Sequence, residues 1–581
     1  MSDFNQQSFV GGMNMLSHDT RLAPNQYRVL LNARNRYDTL DPVRSSEVDA
    51  SAPKGLKQEL VTFAEYLVLF VAGKAYYRRY NQQGWQEVVG FSMSPTAPRY
   101  WTAAVPVATT LYGRFADVAT VNSTPNIPAI NKPIISSQNI SAAFSGNLPG
   151  LLVQDNINQP QFIYINSSGF PVARTTQKFS DWDAEYDGDF QLVVDKREYV
   201  PIGNVMAWVD NVLYIASQDG NTIYRSVSGR PLDFMINVDI DGKAGGDATT
   251  TSYSVGVGNI TCLRGLNDGS LFVAAGNANF AVAKNTTQES PKIFGEYTFI
   301  RRYLFEATCL SDRSIIDTLG DTRFIDLTGI RSFNAIQQLQ NEGRNTVFTS
   351  MVAAGFKDLV QDVAAAILYD NYELYAMNTI FGPAIAVYDT VNNCWTGFDT
   401  EQTPDTVNIK QLAKIELGVQ RLYALGDDDN LYTLYASTTN YDTATLQPAS
   451  VCTTEQNAGQ NVKLNSPKFQ VKLQEFRCII DRITQNSSMT IVPIIDNRLS
   501  AKTPSLRKDI LYSSPLKVYE TNLPDINTQL SNIMFTIPNV EQGWKTTTLI
   551  SWTGGGSLTQ FSMKLNDSTP MNPLNSQTTT I

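Results

Sequence analysis

VLYIASQDGNTIYRSV, residues 212 to 227, carries the reading that decides the fold. Two short runs rich in Tyr and β-branched residues flank Asp219-Gly220. That dipeptide is a hairpin-turn signal, because Asp and Gly tolerate the positive φ a tight turn requires. The same plan recurs in SLFVAAGNANFAVA from Ser270, TRFIDLTGIRSF from Thr322, YELYAMNTIFGPAIAVYD from Tyr372 and RLYALGDDDNLYTLY from Arg421. The five starts are separated by 58, 52, 50 and 49 residues. A repeat of about 40 to 50 residues is the period of β-propeller blades.

Less regular units precede these. Tyr66 to Val89 contains YLVLFVA, AYYRRY and WQEVV, which read as three antiparallel strands, and Leu151 to Ile165 contains LLVQD and QFIYI. Between them, the Pro-, Ser- and Asn-rich residues 92–149 read as an insertion. Seven candidate units result, of which six or seven would close a ring and so hide the strand edges. Two helices are expected, at Ala23 to Asn32 after the starting signal Asp19-Thr20, and near Asn334 to Phe356. Beyond about residue 440 the period is lost. KFQVKLQEFRCIIDRI, SMTIVPIID, NIMFTIP, TTTLISW and LTQFSMKL alternate apolar and polar residues, as half-buried strands do. The expected class is all-β: a six- or seven-unit β-propeller, a C-terminal β-sandwich-like domain and a short N-terminal segment with some helix. The expected boundaries are 1–58 for an N-terminal arm, 59–440 for the propeller, 441–567 for the sandwich and 568–581 for a polar tail.

Composition narrows the function. The 581 residues are 42% hydrophobic and 10% aromatic, as in folded proteins, but only 17% charged. The formal net charge is −10, with no basic stripe of the kind that grips nucleic acid. An acidic wall repels phosphate, so DNA near such a chain would slide past it. The five cysteines are scattered without a CxxC pair, which predicts reduced, buried thiols. The N-terminus lacks a signal-peptide pattern, and the longest apolar run, Tyr66 to Gly73, is too short to span a membrane.

Motifs for catalysis are scarce. The chain has one histidine, His18, which every histidine-based mechanism would have to use; beside a helix-start signal it reads as a capping or surface residue. WTGGGSLTQ, residues 552 to 560, lacks the Gly-Lys-Ser/Thr ending of a P-loop and reads as a loop between strands. No enzyme activity, metal or cofactor is therefore expected. One segment stands apart. In DWDAEYDGDF a strand would place Asp181, Asp183, Glu185, Asp187 and Asp189 on one face, with Trp182, Ala184 and Tyr186 on the other. The reading is an acidic channel or surface face. Asp183 to Gly188 matches a calcium loop only loosely, since its closing glutamate is replaced by Val194. Asp239, Asp241 and Asp427 to Asn430 read as ordinary turns.

Several segments together resemble the tail nozzle proteins of short-tailed phages, also called tail tubular protein B or tail stabilisation hub proteins. SFVGGMNMLSHDTRLAPNQYRVLLNARNRYDTLDPV resembles the family's opening. GLLVQDNINQPQFIYI, WVDNVLYIASQDGNTIYRSVSGRPLDF, LGDTRFIDLTGIRSFN and IAVYDTVNNCWTGFD resemble successive blade signatures, so the resemblance covers about residues 8 to 435. Two features depart from the usual pattern, Tyr37-Asp38-Thr39 in place of a glycine, and the long insertion. The resemblance implies a homo-oligomeric ring, usually a hexamer, in the virion tail, assembled in the host cytoplasm. Its partners would be the portal adaptor ring and tail fibre or spike proteins, with genomic DNA passing through the channel and no membrane insertion. A receptor- or glycan-binding propeller on the virion surface is the alternative, and it would expose Trp85, Trp101 and Trp395 along one rim.

Overall fold

The computed structural model describes the chain apart from the longer stretches 107–148, 177–199, 235–251, 285–298, 335–347, 453–470, 512–530 and 568–581. Shorter stretches also outside the description are 1, 18–20, 37, 80–81, 83, 167, 227–230, 233, 255–257, 267–268, 277, 306–308, 319, 350, 358, 360–363, 417–419, 484, 501–504, 538–541 and 544. The fold is all-β. Among the described residues the complete helical elements are two 3-10 turns, Asp312–Ser314 and Ala353–Gly355. No helix among them is long and apolar enough to cross a membrane.

The chain forms two compact units. One comprises Asp49–Thr346 and Lys410–Leu431. In it, antiparallel meanders follow one another along the sequence. The first sheet is Lys57–Phe63, Tyr66–Val71, Lys74–Arg79 and Gln86–Glu87. The second is Trp101–Pro106, Pro149–Gln154, Gln161–Ile165 and Pro171–Thr175. The third runs from Gly203–Val209 to Ser252–Ser254, and the fourth from Ile260–Gly265 to Phe299–Phe305. A three-stranded fifth sheet spans Ile315–Thr318 to Gly329–Ser332, and Ile409–Ile415 with Arg421–Gly426 adds a further pair. The expected insertion at 92–149 therefore begins with a strand of the second sheet.

Each sheet packs on the next, and the reason is written in its residues. In Tyr66–Val71 all six side chains are buried. Tyr66, Val68 and Phe70 face the second sheet with Leu151 and Ile163, while Leu67, Leu69 and Val71 face Tyr423 and Leu425 of the last pair. The fourth sheet divides likewise: Leu271 and Val273 pack on the third, Phe272 and Ala274 on the fifth. A strand covered on both faces must be apolar at every position, which is why these cores read as continuous runs.

The other unit comprises Met1–Val48, Val347–Ile409 and Tyr432–Ile581. A seven-stranded sheet joins Val471–Asp481 and Ser557–Asp567 to three strands from the other end of the chain, Ser2–Gln6, Ala33–Arg36 and Thr39–Pro42. An eleven-stranded sheet carries the meander Ala365–Tyr369, Tyr372–Thr379, Gly382–Asp389 and Cys394–Asp399. It continues through Val29–Leu31 and Ala444–Gln447 to Lys545–Thr553 and Ser487–Ile495. The two sheets meet face to face, with Cys478 Sγ 3.0 Å from Met489 Sδ and Thr548 Oγ1 3.6 Å from Met563 Sδ. The alternation in Ser487–Ile495, buried at every second residue, is that of a strand with one packed face.

One expectation changes, and most of another lies outside the described residues. The helix expected at Ala23 to Asn32 is replaced by strands Gln26–Tyr27 and Val29–Leu31. Leu30 and Tyr27 are fully buried, Val29–Leu31 pairs antiparallel with Ala444–Gln447, and the left-handed Asn32 (φ 55°) ends the run. Pairing with a distant strand outweighs the local starting signal. Near Asn334, only Phe333 and Asn334 show helical backbone before the undescribed stretch, and the segment's end is the 3-10 turn at Ala353–Gly355. The compact units divide at 48/49, 346/347, 409/410 and 431/432, and strands of the first 48 residues share sheets with the C-terminal strands.

Candidate functional site

The five carboxylates expected to line a channel, Asp181, Asp183, Glu185, Asp187 and Asp189, lie outside the described residues, as do the loose calcium match at Asp183 to Gly188, His18, Asp239 and Asp241. The glycine run does form a loop between strands, from Lys545–Thr553 of one sheet to Ser557–Asp567 of the other: Gly554 adopts φ 86°, and Trp552 Nε1 donates to Gly556 O at 3.1 Å. Asp428 accepts from the backbone and side chain of Asn430, as a turn residue does. Of the three tryptophans the glycan reading would expose, Trp395 is 4% exposed. Trp85 and Trp101 are half-buried beneath guanidiniums, Arg78 at 4.5 Å and Arg99 at 4.8 Å.

In the unit of stacked meanders, the first strands converge on a buried ionic cluster. Glu59, 5% exposed, accepts from Arg313 Nη2 and from Gln411 Nε2. Arg313 Nη2 also donates to Gln58 O at 2.9 Å, and Arg99 reaches both carboxylate oxygens of Asp312 at 2.9 and 3.0 Å. Burial pushes the Glu59 carboxyl up and the Arg313 guanidinium down from their ordinary values, each partly offset by the other's charge. The cluster ties the first and fifth sheets, which do not follow one another in sequence, to the approach of the second and to the last strand pair. Its geometry is that of a structural knot.

In the other unit, a pocket of about 460 Å³ opens over the hairpin of Ala33–Arg36 and Thr39–Pro42. Arg34 and Arg36, two apart in a strand, share a face. Arg34 is committed to the fold. Both its terminal nitrogens donate to Asp399, its Nη2 donates to Tyr435 OH at 2.9 Å, and Tyr435 OH donates to Asp399 Oδ2 at 2.6 Å. Burial alone would lower the pKa of Arg34, but Asp399 and Tyr435 outweigh it, so the guanidinium stays charged. Tyr435 holds a left-handed backbone (φ 53°), unusual for an aromatic residue, with its N–H donating to Gln402 Oε1 at 3.0 Å. Around this floor, Arg36 pairs with Asp370 at 3.0 Å, Arg482 lies 3.6 Å from Asp41, and Arg44 stands over the Tyr441 ring at 5.9 Å. Sequence reasoning missed this site. Its residues come from five separated stretches, and although several lie in segments read as strands, a loop or the family-like opening, none was read as part of a site.

No protein-family profile matches the chain, and no curated protein does. Similar solved structures include the extracellular domain of a hybrid two-component system from B. thetaiotaomicron, at 10% identity and a TM-score of 0.30. That match covers 82% of this chain, which spans 63% of the other's length. The CNH domain of AfRom2 is 9% identical with a TM-score of 0.35, covering 67% of this chain and 99% of that domain. Dihydro-heme d1 dehydrogenase NirN in complex with DHE is 8% identical with a TM-score of 0.30, covering 73% and 69%. Likenesses this distant carry no argument about activity, and the all-β class rests on the strands themselves.

Proposed function

We propose that this chain is a non-catalytic building block of a phage tail. Copies would form a nozzle ring, a hexamer by family resemblance, whose channel retains DNA and then conducts it during ejection. The observation that carries the reading is the order of the family-like segments. GLLVQDNINQPQFIYI, WVDNVLYIASQDGNTIYRSV and LGDTRFIDLTGIRSFN fall on the second, third and fifth of the consecutive meanders, and IAVYDTVNNCWTGFD on the meander of the other unit. Each meander has the strand order of a propeller blade. The net charge of −10 adds support, since a polyanion slides past an acidic wall without sticking.

The acidic face at Asp181 to Asp189 is the proposed lumen segment. Particles carrying lysine at all five positions should assemble and eject DNA more slowly, because a basic lumen holds phosphate. Ejection kinetics equal to wild type would remove this segment from the channel.

A further inference from the structure

The pocket over Ala33–Arg36 has the size and charge of a ligand site. Its volume of about 460 Å³ lies within the range of small-molecule sites and accommodates one or two sugar rings. Four guanidiniums line it, those of Arg34, Arg36, Arg44 and Arg482, in a chain whose overall charge is negative. Against them stand Asp41 and Asp370 in the lining and Asp399 behind Arg34. Four cations facing three carboxylates leave one positive charge. A single negative charge completes the balance, whereas a dianionic phosphate would overshoot it and meet the carboxylates of Asp41 and Asp370.

The rim cations are loosely engaged. Arg36 and Asp370 are about half exposed, at 48% and 47%, where an ion pair contributes little. Arg482 and Asp41 at 3.6 Å are beyond good hydrogen-bond distance, and the contact of Arg44 Nη1 with Ser437 O is long, at 3.4 Å. Those arginines can turn their paired donors to a planar carboxylate at small cost. The rest of the wall suits a hydroxylated ring. The half-buried Tyr441 gives apolar surface beside the largely buried Tyr372, while Asp41, Asp370 and Ser557 can bond hydroxyls. Arg34 and Arg36 already stand over the Tyr372 ring, at 5.5 and 6.0 Å, which leaves little room to stack a flat base.

We propose that this pocket binds a monoanionic sugar, a pyranose ring bearing one carboxylate, held by Arg36, Arg44 and Arg482 beside Tyr441. The site lies within one compact unit, needs no ring of subunits, and stands or falls separately from the channel reading.

The test is calorimetric titration of the full chain with D-glucuronate, glucose, glucose 6-phosphate, inorganic phosphate and an oligogalacturonate. Glucuronate should bind at least about tenfold more tightly than glucose or phosphate, and Arg44→Ala and Arg482→Ala should each weaken it about tenfold, as expected for a lost charge-assisted pair. Arg44→Lys, melting like wild type, keeps the charge without the planar fork and should fall between. Tighter binding of the oligomer would assign the site to a polysaccharide, and equal binding to the free sugar; either supports the proposal. Phosphate or glucose 6-phosphate binding as well as glucuronate, glucose binding as well as glucuronate, or no binding by any of them, would overturn it.

Discussion

Asp442 is a carboxyl with almost no contact with water, 2% exposed, accepting from Gln402 Nε2, and burial pushes its pKa up to about 7. In the unfolded chain the same group releases its proton near pH 4, at about the ordinary aspartate value. Between those values the folded chain binds more protons than the unfolded one. The stability Asp442 contributes is therefore complete below about pH 4 and is lost as the pH rises to about 7. Asp442→Asn keeps an acceptor for Gln402 without the charge. The variant should gain in melting temperature relative to wild type as the pH is raised from about 5 to 8. Parallel melting curves across that range would show that the carboxyl is not held neutral. At this same scale the sequence says least about the pocket. Arg34, Tyr372, Tyr435 and Arg482 are far apart along the chain, and nothing in their local spacing predicts that they meet.

Elements are where the sequence speaks most clearly. The strands in YELYAMNTIFGPAIAVYD are found at Tyr372–Thr379 and Gly382–Asp389, and those in VLYIASQDGNTIYRSV at Val212–Ser217 and Thr222–Arg225. Period-two patterns and turn residues are local signals, so they survive folding. One such signal went unused. Asp210-Asn211, Asp370-Asn371 and Asp496-Asn497 each turn a hairpin with two positive φ values, 46° and 62°, 48° and 64°, and 48° and 65°. Asp-Asn serves here as Asn-Gly does elsewhere. What local pattern does not contain is long-range pairing. Ser2–Gln6 pairs with Ser557–Asp567, and no periodicity in the first residues announces a partner at the far end. The ionic cluster at Glu59 shows what joins elements once they meet. Glu59→Ala would leave Arg313 buried without its carboxylate, at a cost of about 3–5 kcal/mol. The denaturant midpoint should fall accordingly, with Glu59→Gln milder than Glu59→Ala because its amide oxygen still accepts. A midpoint unchanged in Glu59→Ala would mean the cluster does not hold the sheets.

For the whole molecule, the all-β class follows from the strands, and the packing of successive antiparallel meanders from their two apolar faces. In the proposed reading, function lies at a larger scale, in the assembly. A nozzle is defined by a ring of copies around a channel, and the acidic balance acquires its meaning only there. The pocket beside Arg34 would be a second, independent feature of each copy.

Electron microscopy of the purified chain, alone and mixed with tail partners from particle lysate, tests the assembly most directly. The nozzle account predicts closed rings with an axial hole wide enough for duplex DNA, roughly 20 Å or more, given the groove dimensions of the double helix. Monomers that join no ring under either condition would contradict it.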